Sequence, residues 1–284
     1  VNEVPHLFAA SLTGLAILVS PLTIDAPSAQ PSPPIDELAY PDLRALPPLQ
    51  LLPAIMRIDG IPHHVLRFTA AIANLGPGPL ELRGSPAAGR TRVVQRIASV
   101  SGETADVPVG TFVYHPAHQH WHFEHFASYE LWTRAAYDQW LASGRVAGTP
   151  TWQGSKTTGG DGGGESFCLR DNQPLPDLIP EPAPAAYFDC DSVAQGISVG
   201  WLDVYSFDLP EQWIDIGPTP LSDGEYVLRV VADPQNLIRE SSTGTDVEKE
   251  DSAANEGVTA FSIQKGCLAP ALLALPLQTC RDPA

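Results

Sequence analysis

The sequence is short of positive charge. Lys and Arg number 16 against 33 Asp and Glu, a formal charge of −17, and so acidic a chain is excluded from the classes that grip nucleic acid or anionic membrane through a basic face. It attracts cations instead: amines, polyamines and basic proteins. The same charge, taken alone, serves solubility. Long stretches free of helix breakers are also lacking. With 29 Pro and 23 Gly in 284 residues, the chain is interrupted too often for long helices, and short strands with many turns fit better. We expect an all-β fold, a β-sandwich-like central domain with long loops and few short helices.

Apolar runs long enough to cross a bilayer are missing apart from residues 7–24, so the mature chain is expected to have no stable membrane span. That run is followed by Ala26-Pro27-Ser28, an acceptable small-residue cleavage site, and we read residues 1–28 as a signal peptide of a secreted or cell-surface protein. No basic residue precedes the run. A membrane anchor is the alternative, opposed by Pro21 and the short apolar length. Cysteine is scarce too: Cys168, Cys190, Cys267 and Cys280 form two sequence-local pairs, which suggests disulfides 168–190 and 267–280 among three possible connectivities. The expected organisation is a Pro-rich linker and domain entry over 29–55, with a strand entry at Tyr40–Leu43, a main domain over 56–266, and a disulfide-closed tail over 267–284.

Along the chain, strands are expected near Val65–Ile72 and Leu80–Leu82 about the turn Asn74-Leu75-Gly76-Pro77-Gly78, then at Thr91–Ile97, Thr111–Tyr114, Phe126–Trp132 and Ser166–Arg170. The last third is the most strand-like: Gly200–Phe207, Gln212–Ile216, Gly224–Ala232 and Gly257–Ile263. Tyr226, Leu228 and Val230 alternate with Val227, Arg229 and Val231, the pattern of a sheet buried chiefly on one face. Residues 140–161 and 175–186 read as loops, and 241–256 as an acidic insertion.

What the chain has in excess is histidine in one place. Five of its eight histidines, His115, His118, His120, His122 and His125, fall between Tyr114 and Phe126, and no ordinary core requires so many imidazoles together; metal binding does. On a strand, His118, His120 and His122 share a face. On a helix, His115, His118, His122 and His125 would share one instead. Pro116 and the strand character of the remainder favour the strand. Three imidazoles from one segment leave coordination positions open, as reactive sites do, and nitrogen donors suit copper or zinc. His63 and His64 read as loop residues.

The segment H-x-x-H-x-H-x-H at His115–His122 with F-x-x-Y-E-L at Phe126–Leu131 resembles the copper-binding stretch of the lysyl oxidase family. The resemblance extends to P-D-L at Pro41–Leu43, N-L-G at Asn74–Gly76, S-F-C-L-R-D at Ser166–Asp171, Q-G-I-S-x-G at Gln195–Gly200, D-x-Y at Asp203–Tyr205, Q-W-I-D-I at Gln212–Ile216 and D-P-x-x-x-I-x-E at Asp233–Glu240. It covers roughly residues 40–263 and is to a single catalytic domain of bacterial or archaeal type. The resemblance implies copper ligands His118, His120 and His122, a native Cys168–Cys190 disulfide, and His115 and His125 outside the first ligand shell. It further implies oxidation of primary amines or peptidyl lysine by molecular oxygen, releasing aldehyde, ammonia and hydrogen peroxide.

The family works through a quinone made from one tyrosine joined to one lysine. Tyr205 falls on that tyrosine, but the lysine position, four residues before Cys168, is Gly164; the nearest lysine is Lys156, across a run of glycines. Glu124, Asp203 and Asp208 are candidate bases. Three readings follow: a copper amine oxidase with a lysine tyrosylquinone from Lys156 and Tyr205, a copper- or zinc-binding module without the quinone, and a zinc hydrolase with a base beside the metal-bound water.

Overall fold

Alternating apolar residues and frequent turns produce an antiparallel all-β architecture with one helix among the described residues. The structure is a computed structural model describing residues 38–85, 89–116, 118–154, 166–241 and 255–268. Its elements run β1 (Leu38–Ala39), β2 (Leu43–Ala45), β3 (Leu49–Ile58), β4 (Ile61–Asn74), β5 (Leu80–Gly84), β6 (Arg90–Ser99), β7 (Thr104–His115), β8 (His120–Glu124), β9 (Ala127–Thr133) and α1 (Arg134–Ala142). There follow β10 (Trp152–Gln153), β11 (Ser166–Phe167), β12 (Gln173–Pro174), β13 (Ala194–Ile197), β14 (Trp201–Tyr205), β15 (Trp213–Gly217), β16 (Gly224–Ala232), β17 (Glu256–Gln264) and β18 (Cys267–Leu268).

These form three sheets, ordered β11-β8-β7-β6-β5-β13 with β1 against β6, β10-β9-β16-β17-β18, and β12-β14-β4-β15 with β2 and β3 also on β4. One core draws Leu82 and Phe112 from the first sheet, Tyr129 and Leu228 from the second, and Phe68 and Ile72 from the third. Phe167 is fully buried among them. Its ring meets Tyr129 edge-on at 5.6 Å and Tyr205 at 4.7 Å, so the core's aromatic packing reaches Tyr205 directly.

The Asn74–Gly78 turn departs from a hairpin. Strand β4 belongs to one sheet and β5 to another, and the turn carries the chain across. Asn74 is wholly buried and joins the pieces: its Oδ1 accepts from Asp42 N at 3.1 Å and Gly76 N at 3.1 Å, while its Nδ2 donates to Gly78 O at 2.9 Å and Ile197 O at 3.0 Å. At Gly78 a Cβ would stand 1.9 Å from Ala39 O, so only glycine admits the neighbouring backbone.

Other expectations are corrected by what covers each segment. The Pro-rich stretch expected as linker and domain entry is strand over more of its length than the entry at Tyr40–Leu43: from Leu38 onward it contributes β1, β2 and β3, with β3 pairing along β4 from Leu49↔Thr69 to Ile58↔Ile61. Because β3 pairs on one side only, Pro53 can sit in it without breaking a ladder. His63 and His64 lie in β4, not in a loop, and His63 Nδ1 contacts Asp215 at 2.8 Å. The stretch read as a Ser166–Arg170 strand pairs only at Ser166 and Phe167, and α1 forms where loop was expected from Trp140 on. Thr133 caps that helix, accepting from Ala136 N at 3.3 Å.

Strand β16 is buried on both faces rather than one, from Tyr226 to Ala232. Helix α1 explains this, packing Tyr137 and Trp140 with Trp132 and Val227. Arg229, on the same face, is 6% exposed and bonds Glu130 at 2.8 Å and Glu256, with Trp140 4.8 Å from its guanidinium carbon. Alternation of Val and Arg thus marks two different buried environments, one apolar and one ion-paired. Among the described residues no helix is long and apolar enough to cross a membrane. The expected signal peptide lies outside the described residues.

Candidate metal centre

The histidines are gathered by the β7–β8 hairpin. Residue His115 ends β7 and faces His120 at the start of β8. Pro116, with no N–H to offer, cannot extend the ladder, and the chain turns: His115 O accepts from His118 N at 3.1 Å and Gln119 N at 2.8 Å. Gln119 takes a left-handed φ of 59°. The strand expectation therefore holds for His120 and His122, two residues apart on β8, but not for His118. That side chain arrives from the turn.

The outcome is nonetheless a group: nitrogens of His118, His120 and His122 lie within 4.8 Å of one another. Ring centroids are separated by 5.4 Å for 118–120, 5.1 Å for 118–122 and 4.7 Å for 120–122. His122 is 1% exposed, with Nδ1 3.0 Å from Ser166 Oγ. That contact engages one nitrogen and leaves Nε2, 3.3 Å from His118 Nδ1, for the group. Three convergent imidazoles fit copper or zinc; oxygen-seeking ions have no claim on them. His115 stacks on His118 at 4.2 Å. His125 occupies the turn before β9 with φ 62° and joins no candidate ligand group among the described residues.

The trio opens on a cavity of about 400 Å³ whose lining also includes Cys168, Cys190, Arg170, Asn172, Asp203 and Tyr205. The walls come from distant segments held by specific bonds. Cys168 and Cys190 form the expected disulfide. Trp121 N donates to Cys190 O at 2.9 Å, and the wholly buried Gln195 accepts from Leu169 N at 3.0 Å and donates to Trp121 O at 2.8 Å. Strand β8 and both cysteines are thereby tied together. Cys267 is disulfide-bonded as well; its expected partner, Cys280, lies outside the described residues.

Tyr205 is 5% exposed. Its hydroxyl donates to the Asp203 carboxylate and lies 3.0 Å from Cys168 O. Burial first, and the adjacent Asp203 charge second, push its pKa well above the ordinary tyrosine value. It is therefore a neutral phenol at any physiological pH. Of the three acids considered as bases, Asp203 alone lines this cavity; Glu124 is ion-paired with Arg90, and Asp208 is exposed.

The lysine half of a quinone finds no fit at its expected position, which is Gly164. Gly164 and Lys156 both lie outside the described residues. The one lysine within them, Lys265, sits at the β17–β18 turn, away from the cavity lining. Ser166, Gln195, Arg170, Asn172 and Glu211 were not singled out from the sequence. Ser166, Arg170 and Gln195 stand inside the quoted motifs, where their types gave no separate signal.

Comparison with known proteins finds relatives in one family. Residues 151–257 match the family model described as lysyl oxidase, a span that holds Cys168, Cys190 and Tyr205 and begins after the histidines. Lysyl oxidase homolog 4 of Mus musculus is 29% identical over 178 residues, 62% of this chain and 17% of that protein. Lysyl oxidase homolog 2 of Gallus gallus is 31% identical over 140 residues, covering 49% and 14%, and lysyl oxidase homolog 1 of Homo sapiens is 30% identical over 141 residues, covering 49% and 20%. The chain spans a fifth or less of the length of these relatives. By its motifs and these matches, the chain is similar to the lysyl oxidase family, whose model it matches over residues 151–257.

Proposed function

We propose that the chain is a secreted copper-binding amine oxidase of lysyl oxidase type, acting on primary amines or peptidyl lysine with molecular oxygen and releasing aldehyde, ammonia and hydrogen peroxide. The observation that carries this reading is the shared cavity: His118, His120 and His122 form one wall and Tyr205 another. Copper bound to the trio supplies redox chemistry with oxygen. The chain's own residues do the rest. His122 is oriented by Ser166, Asp203 takes the hydrogen bond of the Tyr205 hydroxyl, and the disulfide keeps the opposing walls in place. An acidic surface raises the local concentration of cationic amines.

A second reading has a specific observation in its favour. Glycine at 164 removes the amine that a lysine would add to the tyrosine ring, and a copper- or zinc-binding module with an unmodified Tyr205 then results. Purified chain stripped by chelator and reloaded with copper decides between them. The oxidase reading expects peroxide from a primary amine, together with visible absorbance and an intact mass consistent with a Lys156–Tyr205 crosslink. An unmodified mass with no peroxide from any amine removes it. Retention of zinc over copper in elemental analysis points to the module.

The Ser166 contact supplies an independent check on the ligand assignment. Ser166→Ala is expected to weaken metal affinity by about 10- to 100-fold, the usual effect of deleting a group that orients a ligating imidazole. Competition against a chelator of known affinity measures it. An unchanged affinity would mean that His122 is not a ligand through Nε2.

A further inference from the structure

His118 belongs to two groups of metal-capable side chains. One is the trio; the other joins it to His115 and Glu211, whose candidate ligand atoms also lie within 4.8 Å of one another. The two nitrogens of the ring serve the two groups separately. Nδ1 is 3.3 Å from His122 Nε2, whereas Nε2 is 4.0 Å from Glu211 Oε2. The same Glu211 oxygen is 3.5 Å from His115 Nε2.

The last two separations are too long for good hydrogen bonds. The 3.5 Å separation lies close to the spacing between two ligands of a tetrahedral ion, about 3.3 Å when each bond is about 2.0 Å, and the 4.0 Å separation would have to shorten by about 0.7 Å on binding. Glu211 Oε2 is itself buried and has no hydrogen-bond partner among the described residues. A carboxylate oxygen removed from water without a donor is costly, and a cation relieves that cost. Glu211 also holds a left-handed φ of 61°, a conformation that non-glycine residues adopt at a cost in energy.

We propose that His115, His118 and Glu211 form a second metal position beside the trio, with His118 as the shared, bridging ligand. Two imidazoles and one carboxylate are a donor set for zinc that leaves a fourth position open. The proposal rests on His118 serving the trio through Nδ1, and it gives a role to His115 and Glu211, which the proposed function leaves unused. With both positions filled, His118 coordinates through both nitrogens and its ring proton passes to solvent.

The competing explanation is a plain ion pair between Glu211 and a protonated His115, and zinc stoichiometry separates the two. The chain is stripped with chelator, equilibrated with zinc alone, freed of excess by gel filtration, and assayed for zinc per chain by elemental mass spectrometry. Two equivalents are expected for wild type, one for Glu211→Gln and one for His120→Ala. The Gln replacement keeps the side chain's size, and circular dichroism confirms that each variant is folded. A single wild-type equivalent that is kept in Glu211→Gln and lost in His120→Ala overturns the second position and spares the trio. A single equivalent with the opposite pattern sustains the Glu211 position and removes the trio as read. Two equivalents in both wild type and Glu211→Gln, or none in either, overturn the proposal.

Discussion

Tyr205→Phe is expected to reduce amine-dependent peroxide release to background while leaving copper content unchanged. The substitution removes one oxygen from a ring whose other contacts, including the edge-on packing against Phe167 at 4.7 Å, survive. Stability should fall by about 1–3 kcal/mol, because Asp203, 1% exposed, loses a buried hydrogen-bond donor. That cost is too small to unfold a domain of this size, so activity and fold can be read apart. In the wild type the hydroxyl is held neutral by burial and by Asp203, so ionisation of Tyr205 should not appear in the activity–pH profile at physiological pH. Measurement of peroxide, metal content and urea midpoint on the same preparations makes the test complete. Amine oxidation persisting at wild-type rate would assign the chemistry elsewhere. If the chain is a metal-binding module, only the stability change should be seen.

Much of this site was legible in the sequence because its key residues are local. Five histidines in eleven residues need no tertiary information to stand out. Strand alternation then accounted for His120 and His122 on β8. It misplaced His118, because alternation does not register that Pro116 ends the ladder and that a turn can return a side chain to the same place. Glu211 gave no signal, since it meets His115 and His118 only through the third sheet's placement of the loop between β14 and β15. The same limit applied to the fold. Strand β16 was read with its observed bounds, but its second buried face depended on α1, which follows the neighbouring strand β9 and is far away in sequence. The Asn74 turn was recognised from its composition, whereas its role in crossing between sheets depended on partners at Asp42 and Ile197. Period and turn chemistry describe an element; what covers it is set by residues elsewhere in the chain.

The disulfide illustrates how stability and site geometry separate. Replacing Cys168 and Cys190 together by serine is expected to lower stability by about 3 kcal/mol, from the entropy that a closed loop of this size removes from the unfolded chain. The native loop does not depend on the bridge alone. Asp171 is 8% exposed and accepts four bonds: Ala186 N at 2.8 Å, Tyr187 N at 3.1 Å, Ser198 N at 2.8 Å and Ser198 Oγ at 2.7 Å. Tyr187 donates to Glu81 at 3.1 Å and Trp201 Nε1 to Ala183 O at 2.7 Å. These contacts hold the segment between the cysteines in its folded path, so the double serine variant should remain folded at room temperature. Its melting midpoint should fall by roughly 6–12 °C, taking 2–4 °C per kcal/mol for a domain of this size. Metal affinity should change less, because the trio is carried by the β7–β8 hairpin and not by either cysteine. The variant and the oxidised protein, compared by urea unfolding and zinc titration, test both halves. A stability loss under about 1 kcal/mol would show that the unfolded chain keeps this loop compact without the bridge, and a large loss of metal affinity would show that the cavity walls, rather than the hairpin alone, set the ligand geometry.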